Sequence, residues 1–198
     1  MTKIAVSIPA VFLATFVFLS VEVMGQQRIA SIQSFIGEVE VEHSAQIIKP
    51  LKIGRMVRSG DVFDTDTVRT RKGEADLLVV DGSVVKMDQD TALYMAFKTA
   101  QAAAGVPAPG TPDRRIKLVG GRIWCDVKPS RIATTQFELP DGVAAVRGTI
   151  VEFAVDPAKG WNVGVDRGLM TLNHTGIRAQ VSLTSGNKLG VRKMEKGE

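Results

Sequence analysis

Apolar and polar residues alternate along most of the chain after its first 25 residues, in short segments separated by glycine, aspartate and serine. Val39 and Val41 alternate with glutamates, which is the period of two expected for a strand with one face in water. A separate short strand from Ile29 to Ile36 is predicted to precede it. No segment keeps the apolar period of an amphipathic helix for more than two turns. The pattern therefore predicts an all-β domain over residues 29–190, built from short strands.

Turn residues divide these strands. The clearest turn is Asp81–Gly82, because an Asp-Gly pair supplies the positive φ angles of a two-residue type I′ hairpin, and residues 77–80 and 84–87 are strand-like arms. Gly120–Gly121 is predicted to turn the chain as well. Further turns are predicted at Pro140–Gly142, Arg167–Gly168 and Ser185–Gly186. Hairpins in this order fit a β-sandwich and a solenoid-like β-coil, and both architectures stay open.

The N-terminus has the form of an export signal. Lys3 supplies a positive charge, an apolar run extends from Ile4 to Val21, and cleavage is predicted after Gly25, so that residues 1–25 form a signal helix. The run is close to the length that spans a bilayer, about 18 to 20 apolar residues. A periplasmic or secreted protein is therefore expected, and an uncleaved inner-membrane anchor facing the periplasm is the alternative, the only case in which the membrane is a partner.

Two segments depart from the strand pattern. Residues 99–113 are rich in alanine, glycine and proline, and their three prolines cannot donate hydrogen bonds to a strand ladder. A flexible surface loop is predicted there. Residues 191–198 are predicted to form a polar tail.

Composition narrows the partner classes. A chain of 198 residues is large enough for one domain that buries about 70% of its unfolded surface, so no disulfide or metal is needed to hold it together. The single cysteine, Cys125, has no intramolecular partner and is predicted to be a small buried apolar residue. The net charge is +4, yet the densest basic group, residues 69–72, is too short for a nucleic-acid surface. No nucleic-acid partner is expected.

The sequence contains few residue patterns that are typical of a catalytic or metal site. The two histidines, His43 and His174, lack metal-ligand spacing, and no nucleophile-elbow motif is present. Aspartates group within residues 61–66 and 81–90, where turn formation explains them more simply than a calcium site. We expect no catalytic residue, no metal and no cofactor, and a hydrolase with an unrecognised site is the weaker alternative.

Tryptophans are the candidate contact residues for a partner. Trp124 and Trp161 supply large apolar areas of the kind found at binding surfaces, although burial in the core is the alternative for both. If the strand around Trp124 is regular, Arg122 and Asp126 share its face and complete an exposed patch.

Several short pieces occur in a familiar order between Gly37 and Gly186. They include Gly60–Asp61, Asp81–Gly82 and, as the most specific piece, Arg147–Gly148–Thr149 within Ala145-Val-Arg-Gly-Thr. Together these pieces resemble the FecR domain, the extracytoplasmic module of regulators of the iron-dicitrate type. The last piece has a structural interpretation, in which Gly148 permits close backbone approach and Thr149 favours extended chain. A pairing of Arg147 with a buried carboxylate is a hypothesis.

The resemblance implies a binding role. Family members that act as anti-sigma regulators carry a cytoplasmic helical domain, and only Met1–Lys3 precede the apolar run here, so anti-sigma activity is not expected. What we expect is a stand-alone, non-enzymatic module that binds or scaffolds an envelope protein or cell-wall component. The alternative is an extracytoplasmic signalling component that acts on a membrane regulator encoded elsewhere.

Overall fold

A computed structural model describes residues 27–43, 46–51, 60–98, 113–130, 134–175 and 180–192. These residues form fourteen β-strands and no helix, which confirms the all-β prediction. The strands are β1 (Arg28–His43), β2 (Gln46–Leu51), β3 (Asp61–Phe63), β4 (Thr67–Val79), β5 (Val84–Met87), β6 (Ala92–Lys98), β7 (Asp113–Asp126), β8 (Thr135–Leu139), β9 (Gly142–Val146), β10 (Ile150–Asp156), β11 (Gly160–Arg167), β12 (Leu169–His174), β13 (Gln180–Thr184) and β14 (Asn187–Arg192).

All fourteen strands of this described part belong to one hydrogen-bonded sheet that folds over into two layers. Layer A contains, in order, β2, the C-terminal half of β1, the N-terminal half of β4, β6, the N-terminal half of β7, β8, β9, β12 and β13. Layer B contains, in order, β3, the N-terminal half of β1, the C-terminal half of β4, β5, the C-terminal half of β7, β10, β11 and β14. The three long strands therefore pass from one layer into the other.

Gly120–Gly121 bends β7 and does not end it, so the predicted turn is wrong. Residues before the bend pair with β6 and β8, and residues after it pair with β5 and β10. Gly121 has a φ of 92°, and a Cβ there would lie 2.3 Å from the Oγ1 atom of Thr91. The Thr91 hydroxyl accepts a hydrogen bond from the N–H of Arg122 at 3.0 Å. The bend is therefore set by close packing that only glycine permits.

The two strands predicted between residues 29 and 41 are one strand, β1. Its pairing with β4 shifts register between Ile32 and Ser34 and again between Ile36 and Glu38. Gly37, at the second shift, has a φ of 83°, and a Cβ there would lie 2.3 Å from the carbonyl oxygen of Lys72. Bulges of this kind bend a strand without breaking its ladder.

The hairpin at Asp81–Gly82 is confirmed, but its turn type differs from the prediction. Gly82 has a φ of 83° and Asp81 does not have a positive φ. The N–H of Gly82 donates to the carbonyl of Val79, and the N–H of Val79 donates to that of Ser83. This is a three-residue loop in which a type I turn is followed by a left-handed glycine.

The core lies between the two layers, which makes the molecule a sandwich of one folded sheet. Strands of both layers bury every second side chain. Phe137 of layer A and Phe153 of layer B stack with ring centroids 4.6 Å apart, and both are fully buried. Alternation places the remaining side chains on the two outer faces, where polar residues are accompanied by exposed apolar residues such as Leu78 and Val119.

Three predicted segments fall at the limits of the described chain. The signal at residues 1–25 and residues 99–112 of the predicted loop lie outside the described residues. Asp113, the last residue assigned to the loop, opens β7, and β14 continues to Arg192, two residues into the predicted tail. No helix among the described residues has the length and apolar character needed to cross a membrane.

Candidate functional site

The C-terminal half of β7 presents one apolar and one polar side, as the sequence predicts. Ile123, Cys125 and Val127 lie in the core, and Arg122, Trp124 and Asp126 lie on the outer face of layer B. Because β7 is flanked by β5 and β10, these side chains stand near the middle of that face. We call this surface the Trp124 face; it comprises Lys86, Arg122, Trp124, Asp126, Glu152, Asn162 and Asp166.

Trp124 is half-buried among side chains of neighbouring strands. Its register partners are Lys86 on β5 and Glu152 on β10. The Nζ atom of Lys86 lies 5.4 Å from the centroid of the indole ring, within range of a cation–π interaction. The indole N–H donates to a carboxylate oxygen of Asp166 at 3.4 Å. These contacts orient the ring and leave part of it in solvent.

Arg122 lies beside Trp124 and carries two loose ion pairs. Its guanidinium is 3.4 Å from the Glu152 carboxylate and 3.8 Å from the Asp88 carboxylate, and its side chain is 59% exposed. Exposed pairs of this kind contribute about 0–1 kcal/mol each. The guanidinium is therefore positioned, and a ligand carboxylate could replace either partner at little cost.

Asp126 closes the other side of the patch. Its carboxylate lies 2.9 Å from the Lys128 ammonium and 4.0 Å from the guanidinium of Arg167. The three residues predicted to share one face therefore do so, and their role in binding a partner stays a prediction.

Two shallow grooves adjoin the Trp124 face. The larger has a volume of about 880 Å³ and the smaller of about 320 Å³, and both are lined by Arg122, Ala154 and Asn162. Small residues form much of their floor, among them Gly121, Gly160, Gly164 and Gly190. An extended ligand could therefore approach the backbone closely along this part of the face.

The turn between β10 and β11 borders the larger groove. Within it the N–H groups of Ala158 and Lys159 donate to the Asp156 carboxylate at 2.9 and 3.3 Å. The hydrogen bond from Ala158, more than any other interaction, lowers the pKa of Asp156 below its ordinary value. This turn therefore keeps a negative charge at the rim of the groove.

Trp161 is a core residue, so it does not supply the surface contact considered for it. Its side chain is 2% exposed, and its indole N–H donates to the carboxylate of Asp141. The ring lies 6.3 Å from that of His174, whose Nε2 atom is 3.3 Å from the same carboxylate. Trp161, from layer B, therefore joins the layers by contacting a turn and a strand of layer A.

Arg147–Gly148–Thr149 forms the corner where the chain crosses from β9 in layer A to β10 in layer B. Gly148 has a φ of 63°, and a Cβ there would lie 3.0 Å from the ring of Pro129. Thr149 is buried, and its hydroxyl donates to the carbonyl of Leu169 at 2.9 Å. The close approach expected at Gly148 is present, while the preference of Thr149 for extended chain stays a prediction, since Thr149 directly precedes β10.

The hypothesis for Arg147 is wrong. Its side chain is exposed, and its Nε atom donates to the carbonyl oxygen of Ser130. Among the described residues, a backbone carbonyl takes the place of the expected buried carboxylate.

The other residues on which the family resemblance rests, at Gly60–Asp61 and Asp81–Gly82, also have a structural role. The Asp81 carboxylate accepts hydrogen bonds from the N–H and hydroxyl of Ser83 and pairs with Arg114 of β7. The carbonyl of Gly60 accepts from the N–H of Ile32, and Asp61 pairs with Arg28 at 3.4 Å. These residues fix loops against strands, and none lies on the Trp124 face.

The aspartates grouped within residues 61–66 include two whose carboxylates accept hydrogen bonds from backbone N–H groups. Asp64 accepts from the N–H of Phe97 at 2.7 Å, and the buried Asp66 accepts from the N–H of Phe63 at 2.8 Å. Asp66 also lies 2.6 Å from the Nδ1 atom of His43. Within the described ranges, no three histidine, cysteine, aspartate or glutamate residues come together as metal ligands would.

Cys125 is buried, as predicted, and free. Burial raises the pKa of its thiol well above the ordinary value. The side chain is therefore inert in the folded protein and packs as an apolar residue.

Sequence reasoning missed the groups that surround Trp124. Lys86, Glu152 and Asp166 belong to three different strands, and only the register of β5, β7, β10 and β11 brings them together. Their alternation in sequence marks them as outward-facing, but it does not indicate which strand lies next to which.

Comparison with known proteins finds one matching family model and solved structures of similar fold. The family model described as "FecR protein" matches residues 66–171, which include β5, β7 and β10 of the Trp124 face. Two crystal structures of a candidate anti-sigma factor from Parabacteroides distasonis are similar in fold. Their TM-scores are 0.51 and 0.50, their identities are 12% and 13%, and they cover 64% and 63% of this chain. The match spans only about half of their length, 54% and 53%. None of the curated proteins compared with the chain matches it.

Proposed function

The chain belongs to the FecR family, and from that premise we propose that it is a non-enzymatic binding module of a signalling system, which holds an envelope protein or cell-wall component on the Trp124 face. The proposal includes export to the periplasm or beyond, for which the apolar N-terminal run is the support.

One observation carries the proposal. The Trp124 face combines a half-exposed tryptophan, a positioned but weakly paired arginine and two adjoining grooves with small-residue floors. Tryptophan and arginine are the residue types that contribute most at protein interfaces, and charged groups around them select the partner. The outer face of layer A offers Tyr94 as its comparable aromatic residue.

A signalling output is the second part of the proposal. The similar structures are named as candidate anti-sigma factors, which supports a role in which partner binding is passed to a membrane regulator. The loop predicted at residues 99–113 is the candidate segment for a change of shape, and its deletion would test that role. Unchanged partner affinity and unchanged signalling after deletion would remove this part and leave the binding role intact.

Affinity capture with matched variants tests the binding role. The purified protein, its Trp124→Ala variant and its Tyr94→Ala variant are each used to capture proteins and wall fragments from an envelope extract. We expect a component that is recovered by the parent protein and by Tyr94→Ala, and that is reduced at least tenfold with Trp124→Ala. Equal recovery with all three proteins would contradict the proposal.

A further inference from the structure

Among the described strands, β14 is an open edge of layer B. It pairs with β11 over all six of its residues without a register shift, and no described strand lies on its other side. In an antiparallel ladder every second residue of an edge strand directs its N–H and C=O away from the sheet. Three residues of β14 can therefore offer about six backbone hydrogen bonds to an added strand.

The outer side of this edge is basic. Lys188 and Arg192 are exposed and flank Gly190, and the structure gives neither of them an ion pair with any described residue. By contrast, Arg122 and Lys159 on the neighbouring strands and turn are paired with carboxylates. The charge of this edge is thus left for a partner to neutralise.

The inner side of the same edge is apolar. Leu189 and Val191 are partly buried and pack against the core. A strand added beside β14 would place its own alternate residues next to them and cover their exposed parts. The edge therefore matches a segment with acidic residues on one side and apolar residues on the other.

A second copy of this chain fits the edge poorly. Two-fold pairing of β14 with itself, centred on Gly190, would set Lys188 opposite Arg192 of the copy. Like charges directly opposite each other destabilise a strand pair, whereas acidic residues at those places stabilise it. Charge therefore favours a partner of different sequence.

We propose that β14 binds an extended segment of another polypeptide, with alternating acidic and apolar residues, as an additional strand of layer B. The β14 edge borders the two grooves beside the Trp124 face, because Lys188, Gly190 and Arg192 line these grooves. Strand addition uses the backbone of β14 and does not use Trp124, so the peptide experiment tests it apart from the proposed function.

Three synthetic peptides test the proposal: an eight-residue peptide alternating glutamate and valine, the same peptide with alternate amides N-methylated, and a peptide alternating lysine and valine. Hydrogen exchange of β14 and the affinity for dye-labelled peptide are measured. The first peptide is expected to slow exchange of the outward amides of β14. The N-methylated peptide, which lacks donors, is expected to bind at least tenfold more weakly, and the lysine peptide, which carries the wrong charge, about 2- to 25-fold more weakly.

Charge variants localise the binding. The Lys188→Glu/Arg192→Glu protein is expected to lose about 2- to 25-fold in affinity for the glutamate peptide, from a factor of ~1.4 to 5 for each cross-strand charge pair. The Lys72→Glu/Lys117→Glu protein has the same change in net charge at exposed positions outside β14 and should bind as the parent does. The proposal is overturned by unchanged β14 exchange at millimolar peptide, by equal losses in both variants, or by self-association through β14 without peptide.

Discussion

Replacing Gly121 by alanine should destabilise the fold far more than replacing its neighbour Gly120. At Gly121 the φ of 92° is strained for any residue with a Cβ, and the new atom would lie 2.3 Å from the Oγ1 atom and 2.5 Å from the Cα atom of Thr91. The second of these atoms belongs to the backbone, so rotation of the Thr91 side chain cannot relieve the clash. Left-handed backbone costs about 1–2 kcal/mol, and overpacking adds about 1–3 kcal/mol. A loss of about 2–5 kcal/mol follows for Gly121→Ala.

Gly120 provides the matched control because it precedes the bend in the same strand. A Cβ there would meet the ring of Pro157 at 3.5 Å, an ordinary van der Waals distance, and the φ is not in the left-handed region. Gly120→Ala should therefore be neutral or stabilise the protein by about 0.4–1 kcal/mol, since alanine restricts the unfolded chain.

Equilibrium denaturation in urea, followed by tryptophan fluorescence, measures both variants. Trp161 reports the contact between the layers and Trp124 the outer face of layer B, so a single transition would indicate that both environments are lost together. Losses within 1 kcal/mol of each other for the two variants would refute the account of the bend, and with it the placement of Arg122 and Trp124 on one face.

Three further predictions concern side chains on either side of the sheet. Trp161→Ala should cost about 3–5 kcal/mol because the ring is buried between layers, whereas Trp124→Ala should cost under about 1.5 kcal/mol; urea denaturation compares them. Arg147→Ala should change stability by less than about 1 kcal/mol, and Thr149→Val should cost about 0.5–1.5 kcal/mol by removing the hydrogen bond from the Thr149 hydroxyl to the Leu169 carbonyl, as thermal unfolding would reveal. Because burial raises the pKa of Cys125, the folded state keeps a proton that the unfolded state loses above about pH 8.5. Stability should therefore fall with rising pH there by up to ~1.4 kcal/mol per unit more than in Cys125→Ala, and an identical pH slope in the two proteins would contradict this.

The strand content of the fold could be read from the sequence because alternation is a local property. Ile123, Cys125 and Val127 are spaced two apart, and this spacing alone places Arg122 and Trp124 on the opposite side. The same local reasoning located the hairpin at Asp81–Gly82.

The turn predicted at Gly120–Gly121 is wrong because a glycine pair that bends a strand has the same sequence pattern as one that forms a turn. A Gly-Gly pair serves equally to reverse a chain and to let a strand pass close to another backbone, and the neighbour that decides at Gly121 is Thr91, 30 residues away. Gly37 bends β1 for the same reason, beside Lys72. Local sequence cannot supply such partners.

The site could be predicted only in part. Trp161 and Trp124 have similar strand surroundings in the sequence, yet one lies between the layers and the other outside them. Trp161 belongs to the buried series of β11 with Val163 and Val165, whereas Trp124 alternates with the buried residues of β7. Glu152 and Lys86 join the site through register alone, which depends on the whole sheet.

Photo-crosslinking in living cells tests whether the Trp124 face is the surface that contacts the partner. A benzophenone amino acid is placed at position 86, beside Trp124, or, as the matched control, at position 94 on the outer face of layer A, and cells are irradiated under identical conditions. We expect a discrete crosslinked envelope component from position 86 and none of that mass from position 94. The same product from both positions, or a product from position 94 alone, would contradict this expectation.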